Sequence, residues 1–182
     1  MPTELSDDEL MQRYGQGELS AFQELYRRHS RNLYRFIAWR SGGRDWADEV
    51  AQDSWLALHR ARASYIAQGS FKTFLFQIAR NRLTDLQRQQ QPEDLADSRF
   101  DALFVQGSTE DELSGRQMNA QLHGAIRALP AEQKEALVLQ HFSGLSIEEI
   151  ALVVDAPAET VKSRLRYAMR KLREQFREEE TA

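Results

Sequence analysis

The sequence predicts an all-α protein: two small helical domains joined by an acidic flexible linker, the second domain built on a helix-turn-helix. Three observations carry this reading. Apolar residues recur at three- and four-residue steps on both sides of the middle of the chain. The excess of acid is confined to the stretch between them. Residues 1–91 hold 13 basic and 11 acidic side chains, residues 92–115 hold 1 and 7, and residues 116–182 hold 10 and 10. That stretch follows Gln89, Gln90, Gln91 and Pro92 and contains Gly107 and Ser108, a linker composition. Finally, near the C-terminal end a capping-box spacing, a tight turn and a proline lie in the order that joins two short helices.

Composition excludes whole classes of chemistry. With 182 residues and 41% apolar side chains, the chain has enough apolar surface for one or two modest cores. It has no cysteine, so disulfides, thiolate zinc sites, iron–sulfur clusters and cysteine nucleophiles are ruled out together. Apolar runs such as 150–154 are too short to span a bilayer, and Glu4, Asp7, Asp8 and Glu9 precede any apolar stretch. The expectation is a cytoplasmic protein without membrane insertion.

The first long helix carries Phe22, Leu25, Tyr26, His29, Leu33, Phe36 and Ile37 at helical spacing, with Ser20 and Gln23 as a capping box at its start. His29 reads as a packed core histidine, since no histidine or carboxylate stands at a metal-binding spacing from it. His59, His123 and His141 are isolated, and neither a phosphate loop nor a nucleophile elbow is present, so no enzyme is expected and no cofactor is implied.

The next helix, about residues 45–62, turns Ala47, Val50, Ala51, Ser54, Leu58 and Ala61 to one side. Asp45, Asp48, Glu49, Gln52, Asp53 and Leu56 fall on the other. An acidic face around one leucine is either a solvated face or a surface for a basic helix, because an apolar centre ringed by charge supplies burial and steering together. A third helix starts near Ser70. Its buried side is Phe71, Phe74, Leu75, Ile78, Ala79 and Leu86, while Gln77, Arg80, Asn81, Thr84 and Arg88 share an opposite polar arc. Guanidinium groups neutralise phosphates and amides read base edges, so nucleic acid is a natural partner of that arc, and a solvated polar face is the plainer alternative. Just ahead of it, Tyr65, Gly69, Ser70 and Phe71 form a short loop that either holds an unstacked base or is a plain turn.

In the second domain, Leu129 and Pro130 begin a helix through Leu137, Val138 and Leu139, which Ser143 and Gly144 end. Ser146 and Glu149 cap a short helix, and Asp155, Ala156 and Pro157 turn the chain into the last one. There Val161, Leu165, Ala168 and Leu172 form the core seam, opposite Glu159, Lys162, Ser163, Arg166, Arg170 and Arg173. Residues 162–173 hold six bases and no acid, a cationic stripe that favours the major groove.

These residues carry a resemblance. Leu129-Pro130, Gly144-Leu145-Ser146, Glu149-Ile150-Ala151 and Thr160-Val161-Lys162-Ser163-Arg164-Leu165 resemble region 4 of the extracytoplasmic-function (ECF) sigma factors of bacterial RNA polymerase. Ala47-Asp48-Glu49-Val50-Ala51-Gln52-Asp53 is similar to their region 2 motif for the polymerase clamp helices. Gly69-Ser70-Phe71-Lys72-Thr73-Phe74-Leu75 with Ile78-Ala79-Arg80-Asn81 is similar to their minus-ten segment. Phe74 stands where the family usually has tryptophan, and Tyr167 where arginine commonly precedes Ala168.

The resemblance implies an alternative sigma factor that binds core RNA polymerase and directs initiation at a specific regulon. It implies region 2 over residues 1–91, an acidic linker over 92–115 and region 4 over 116–182. Asp48, Glu49, Gln52, Asp53 and Leu56 would dock on the clamp helices of the largest subunit. Gly69, Ser70, Phe71, Lys72, Gln77, Arg80, Asn81, Thr84 and Arg88 would take melted minus-ten DNA. Glu159, Thr160, Lys162, Ser163, Arg164, Arg166, Tyr167 and Arg170 would read the minus-thirty-five duplex, with Arg164, on the flank, contacting phosphate. An anti-sigma factor is a further implied partner. Two readings compete: a sigma-like mimic that sequesters an anti-sigma factor, and a stand-alone helix-turn-helix regulator.

Overall fold

Ser6 opens the first helix, α1 (Asp7–Gly15), through a reciprocal cap. Its hydroxyl accepts from the Glu9 backbone N–H at 3.3 Å, while the Glu9 carboxylate accepts from the Ser6 N–H at 2.8 Å. The computed structural model describes residues 4–41, 46–66, 69–89 and 112–180, with side chains for all of these except 112–119 and 178–180. Among the described residues it is all helical. After α1 come α2 (Leu19–Ser41), α3 (Trp46–Ala61), α4 (Phe71–Gln89), α5 (Glu112–Arg127), α6 (Ala131–His141), α7 (Ile147–Val154) and α8 (Ala158–Glu180). Residues 92–111 of the expected linker, and Asp45, lie outside the described residues, whereas 112–115 already belong to α5.

Helices α1 to α4 form the first domain, with α3 packed on both α2 and α4. Leu25, His29, Leu33, Phe36 and Ile37 of α2 are buried as their spacing predicts, but Tyr26 is 48% exposed. The expected Ser20–Gln23 cap does not form. Helix α2 starts at Leu19, which places Ser20 inside the first turn, where its hydroxyl donates to Glu18 at 3.0 Å. Helix α1, absent from the sequence reading, covers the start of α2: Asp7 accepts from Arg28 at 3.0 Å and bonds His29 Nε2 at 2.7 Å. His29 is thus the packed histidine expected, its ring 5.3 Å from that of Phe71.

In α3 the buried arc is Ala47, Val50, Ser54 and Leu58, joined by Trp55. Ala51 and Ala61 are only partly covered. In α4 the buried set is broader than one stripe. Phe71, Thr73, Leu75, Phe76, Ala79 and Leu83 are all buried, because α4 is covered from two sides, by α2 and α3 and by α7 of the second domain.

In the second domain α8 packs against α5, α6 and α7. Val161, Leu165, Ala168 and Leu172 are all buried along the predicted seam. The α7 cap forms as predicted, Ser146 Oγ accepting from Glu149 N–H at 3.1 Å and Glu149 returning a bond to the Ser146 N–H at 2.8 Å. Asp155 then takes a left-handed conformation, φ +52°, and Pro157 leads into α8. The left-handed region costs a residue with a Cβ about 1–2 kcal/mol, less for Asp, which bonds locally. Asp155→Val is therefore expected to lower stability by about 1–2 kcal/mol and Asp155→Gly to preserve or raise it, as read by urea denaturation.

The two domains pack together. Phe36, Ile37, Ala38 and Trp39 are four consecutive buried residues, so the end of α2 is covered all round. Part of that cover is the other domain: the Trp39 ring stacks 6.0 Å from Phe142 and stands edge-on 5.6 Å from His123. One continuous apolar core runs through both domains.

Candidate polymerase and nucleic-acid interfaces

The acidic face of α3 is where the sequence placed it. Asp48, Glu49 and Gln52 are exposed, Asp53 is half-buried, and Leu56 is 45% exposed. The sequence did not reveal that an arginine of α4 spans it: Arg82 Nε donates to Asp53 at 2.8 Å and Nη2 to Glu49 at 3.4 Å. Beside this face lies a groove of about 1000 Å³ between α2 and α3. Its floor is aromatic, Phe22 edge-on to Trp55 at 5.8 Å, with Leu19, Leu56 and Tyr26, whose ring is 5.0 Å from Trp55, exposed at its rim. Arg31 and Arg35 form one wall, Asp48 and Gln52 the other. Burial, with Arg31 nearby, pushes the Arg35 guanidinium below its usual value. An apolar trough with walls of opposite charge suits an amphipathic helix. The exposed Tyr26, misread as core, was the signal for it.

The residues expected to take minus-ten DNA divide into two sets. Gly69 holds a positive φ of +99°, a conformation that L side chains rarely adopt, and a Cβ there would stand 3.3 Å from the Leu152 side chain. Ser70 Oγ accepts from the Thr73 N–H at 3.2 Å, starting α4, and donates to the Glu149 carboxylate. Burial alone would raise the Glu149 carboxyl, but hydrogen bonds from Ser70 and Ser146 and the charge of Lys72 hold it below the usual carboxylate value. Gln77 Nε2 donates to the Leu152 carbonyl at 2.9 Å. Arg80 Nε donates to Glu135 at 2.9 Å. These residues face the second domain.

Asn81 and Arg88 are exposed, and Thr84 donates back to the Arg80 carbonyl at 2.9 Å. Phe71 requires a correction. Only 1% exposed and packed on His29, it is a core residue with no surface to offer a base.

The loop before α4 does border a cavity. An open cavity of about 610 Å³ is lined by Ser64, Tyr65, Ile66, Gly69, Phe74 and Gln77 together with Leu152 of α7. Tyr65 stands edge-on to Phe74 at 5.1 Å and donates to Asp8 at 2.7 Å; burial, with that carboxylate, holds its hydroxyl well above the usual phenol value. The aromatic wall is therefore fixed in place, whereas Ile66, at 74% exposed, stands free at the rim.

On α8 the basic stripe faces outward. Lys162 pairs with Glu159 at 2.6 Å, an exposed contact that holds the Glu159 carboxyl low and the Lys162 ammonium high. The Arg166 and Arg170 guanidinium groups lie over the Tyr167 ring at 5.7 and 4.9 Å, so Tyr167 organises two cations of the stripe. Thr160 and Ser163 are half-buried. Arg164 sits on the flank, 19% exposed, and bonds Glu132 of α6 at 3.1 Å. Among the described residues no helix is long and apolar enough to cross a membrane.

Known proteins share this arrangement. Residues 25–93 match the family model of sigma-70 region 2, and residues 119–172 match that of sigma-70 region 4. The chain is 30% identical to the RNA polymerase sigma-H factor of Pseudomonas aeruginosa over 175 residues, 91% of each protein. It is also 30% identical to the ECF RNA polymerase sigma factor SigM of Mycobacterium tuberculosis, covering 93% of this chain and 84% of that one. In fold it resembles the sigma factor RpoE of Bartonella quintana, solved with the anti-sigma factor NepR, at a TM-score of 0.67 and 23% identity over 86% of this chain and 96% of that one. With both sigma-70 regions present in order, and with relatives that align over nearly its whole length, the chain belongs to the ECF sigma factors of bacterial RNA polymerase.

Proposed function

We propose that this protein is an alternative sigma factor, binding core RNA polymerase in the cytoplasm and directing initiation at the promoters of one regulon. The observation that carries the reading is the presence, in one chain, of an acidic α3 face beside an apolar groove and of a one-sided basic recognition helix. A sequestering mimic needs no cationic stripe, and a stand-alone regulator needs no acidic docking face. In this reading the clamp helices of the largest subunit lie along the α2–α3 groove against Asp48, Glu49, Gln52, Asp53 and Leu56. The α8 stripe enters the minus-thirty-five major groove, and the α4 face with its loop cavity takes melted minus-ten DNA. The polymerase supplies the chemistry; this chain supplies the address and holds the opened strand. Residues 1–91 and 116–182 act as the two binding domains. An anti-sigma factor is a fitting regulator, since any protein covering the α3 face would block docking.

The test is transcription of a fragmented genomic library by purified core polymerase with this protein, with start sites mapped. Initiation at a small set of sites sharing two spaced elements supports the reading; start sites identical to those of core polymerase alone contradict it. On a promoter so identified, Lys162→Ala or Arg166→Ala is expected to weaken binding by about 1–3 kcal/mol if the contact is to bases, or to reduce the salt slope by about one if it is to phosphate. Anisotropy titrations over a range of salt concentrations read both. Unchanged affinity and slope in both variants would make the stripe a solvated face.

A further inference from the structure

Helix α1 has none of the roles assigned above, yet it is tied to both ends of the segment 62–65, which gives Ser64 and Tyr65 to the wall of the loop cavity. At one end a Cβ on Gly15 would stand 2.8 Å from the Arg62 carbonyl oxygen, so the two backbones touch. The Arg62 guanidinium lies 6.0 Å from the centre of the Tyr14 ring, and the Tyr14 hydroxyl bonds His59 Nδ1. At the other end the Tyr65 hydroxyl donates to Asp8 at 2.7 Å.

Helix α1 is itself held. Leu10, Met11 and Tyr14 are buried, and Arg28 Nη1 donates to the Leu5 carbonyl at 2.8 Å and to Asp7 at 3.0 Å. Asp7 also bonds His29 at 2.7 Å. Successive residues of a helix diverge by about 100°, so Asp7 fastens α1 to α2 while Asp8 reaches the loop. The Tyr65 ring is thereby fixed twice, edge-on to Phe74 at 5.1 Å and by the bond at its hydroxyl. Burial first, and then the Asp8 carboxylate, keep this phenol above its usual value, so it remains a donor at neutral pH. A ring held in this way needs little further ordering when a base stacks on it.

We propose that α1 braces the loop cavity, and that Asp8, acting through the Tyr65 hydroxyl, is a positioning residue for an unstacked base of melted minus-ten DNA. The inference rests on the reading of that cavity as part of the minus-ten site. It gives the N-terminal helix a share in strand capture without any contact to DNA.

The test uses holoenzyme assembled from core polymerase and the full chain. The probes are nontemplate-strand oligonucleotides spanning the minus-ten element of a promoter found by the library transcription, intact or with one nucleotide at a time made abasic. With the parent chain, one abasic position is expected to weaken binding by about tenfold, the scale of one base–aromatic stack. Asp8→Ala and Tyr65→Phe are each expected to weaken binding of the intact strand by about fivefold, the scale of one hydrogen bond, and to leave the strand abasic at that position bound as by the parent. Combining the two substitutions should cost no more than either alone, since both remove the same bond. Asp8→Asn loses the same charge as Asp8→Ala but keeps an oxygen to accept from the phenol, so it is expected to bind the intact strand as the parent does.

An intact strand bound equally well by the parent chain and by both Asp8→Ala and Tyr65→Phe overturns the positioning role and leaves the cavity assignment standing. The same holds if the variants weaken intact and abasic strands alike, or if Asp8→Asn falls with Asp8→Ala, because the loss then comes from the fold at large or from charge. A parent chain indifferent to an abasic nucleotide at every position removes the base from the cavity, and the proposal with it.

Discussion

Asp48→Lys combined with Asp53→Lys is expected to weaken binding to core polymerase by about a hundredfold or more. Placing like charges across an interface costs several kcal/mol, and each 1.4 kcal/mol is about a factor of ten. The fold is expected to survive. Asp48 is exposed, and the Asp53–Arg82 bond that is lost joins two side chains 39% and 35% exposed, a class of ion pair worth about 0–1 kcal/mol. Circular dichroism checks the helices, and titration against labelled core polymerase reads the affinity. Native-like helicity with undiminished affinity would remove α3 from the docking surface. Arg82 provides a finer control. Arg82→Ala frees Asp53 and Glu49 from their internal partner, so it should preserve or strengthen docking if those carboxylates meet basic residues of the polymerase.

Asn81→Ala is expected to leave core binding and minus-thirty-five affinity nearly unchanged while lowering the opened fraction of promoter by about tenfold or more. Holding a base outside the stack costs a few kcal/mol, which only contacts to the melted strand can offset. Asn81 is placed for this. It is exposed on α4 next to Arg80, its amide both donates and accepts, and it lies outside the contacts described between the two domains. Templates carrying a pre-melted mismatch bubble should rescue the variant, since the cost of opening has been met beforehand. Normal opening by Asn81→Ala would move the base contact to another residue of the arc, with Gln77 the nearest amide.

Elements whose determinants are local were legible in the sequence. The Ser146–Glu149 cap, the Asp155–Pro157 turn and the Val161–Leu172 seam depend on neighbours a few residues away, and each forms as the spacing predicts. The same spacing was present at Ser6–Glu9 ahead of Leu10, Met11 and Tyr14, and would have revealed α1. Ser20 misled because a cap is defined by where the helix starts, and Leu19 already belongs to α2.

What the sequence concealed is the contact between domains. A period of 3.6 residues identifies one buried stripe, but α4 is buried on two sides and the end of α2 all round, so Phe76, Leu83 and Trp39 fell outside the expected stripes. Four successive buried residues, Phe36 to Trp39, were the trace of this second covering. Glu135 was a trace as well, an acid beside the apolar run Ala136 to Leu139. Long-range partners such as Arg82 for Asp53 and Glu135 for Arg80 have no sequence period, and only the fold brings them together. Phe71 was counted both on the buried side of α4 and in the loop offered to a base, and only the first of these holds.

Permanganate footprinting of promoters bound by core polymerase and this protein tests the central claim most directly, because it reports unpaired thymines and nothing else the complex does. The account predicts a short reactive patch around the minus-ten element that requires both components and disappears when either is omitted. Firm occupancy of the minus-thirty-five duplex with no reactive thymine at any bound promoter would contradict it, leaving a DNA-binding or sequestering protein that does not open promoters.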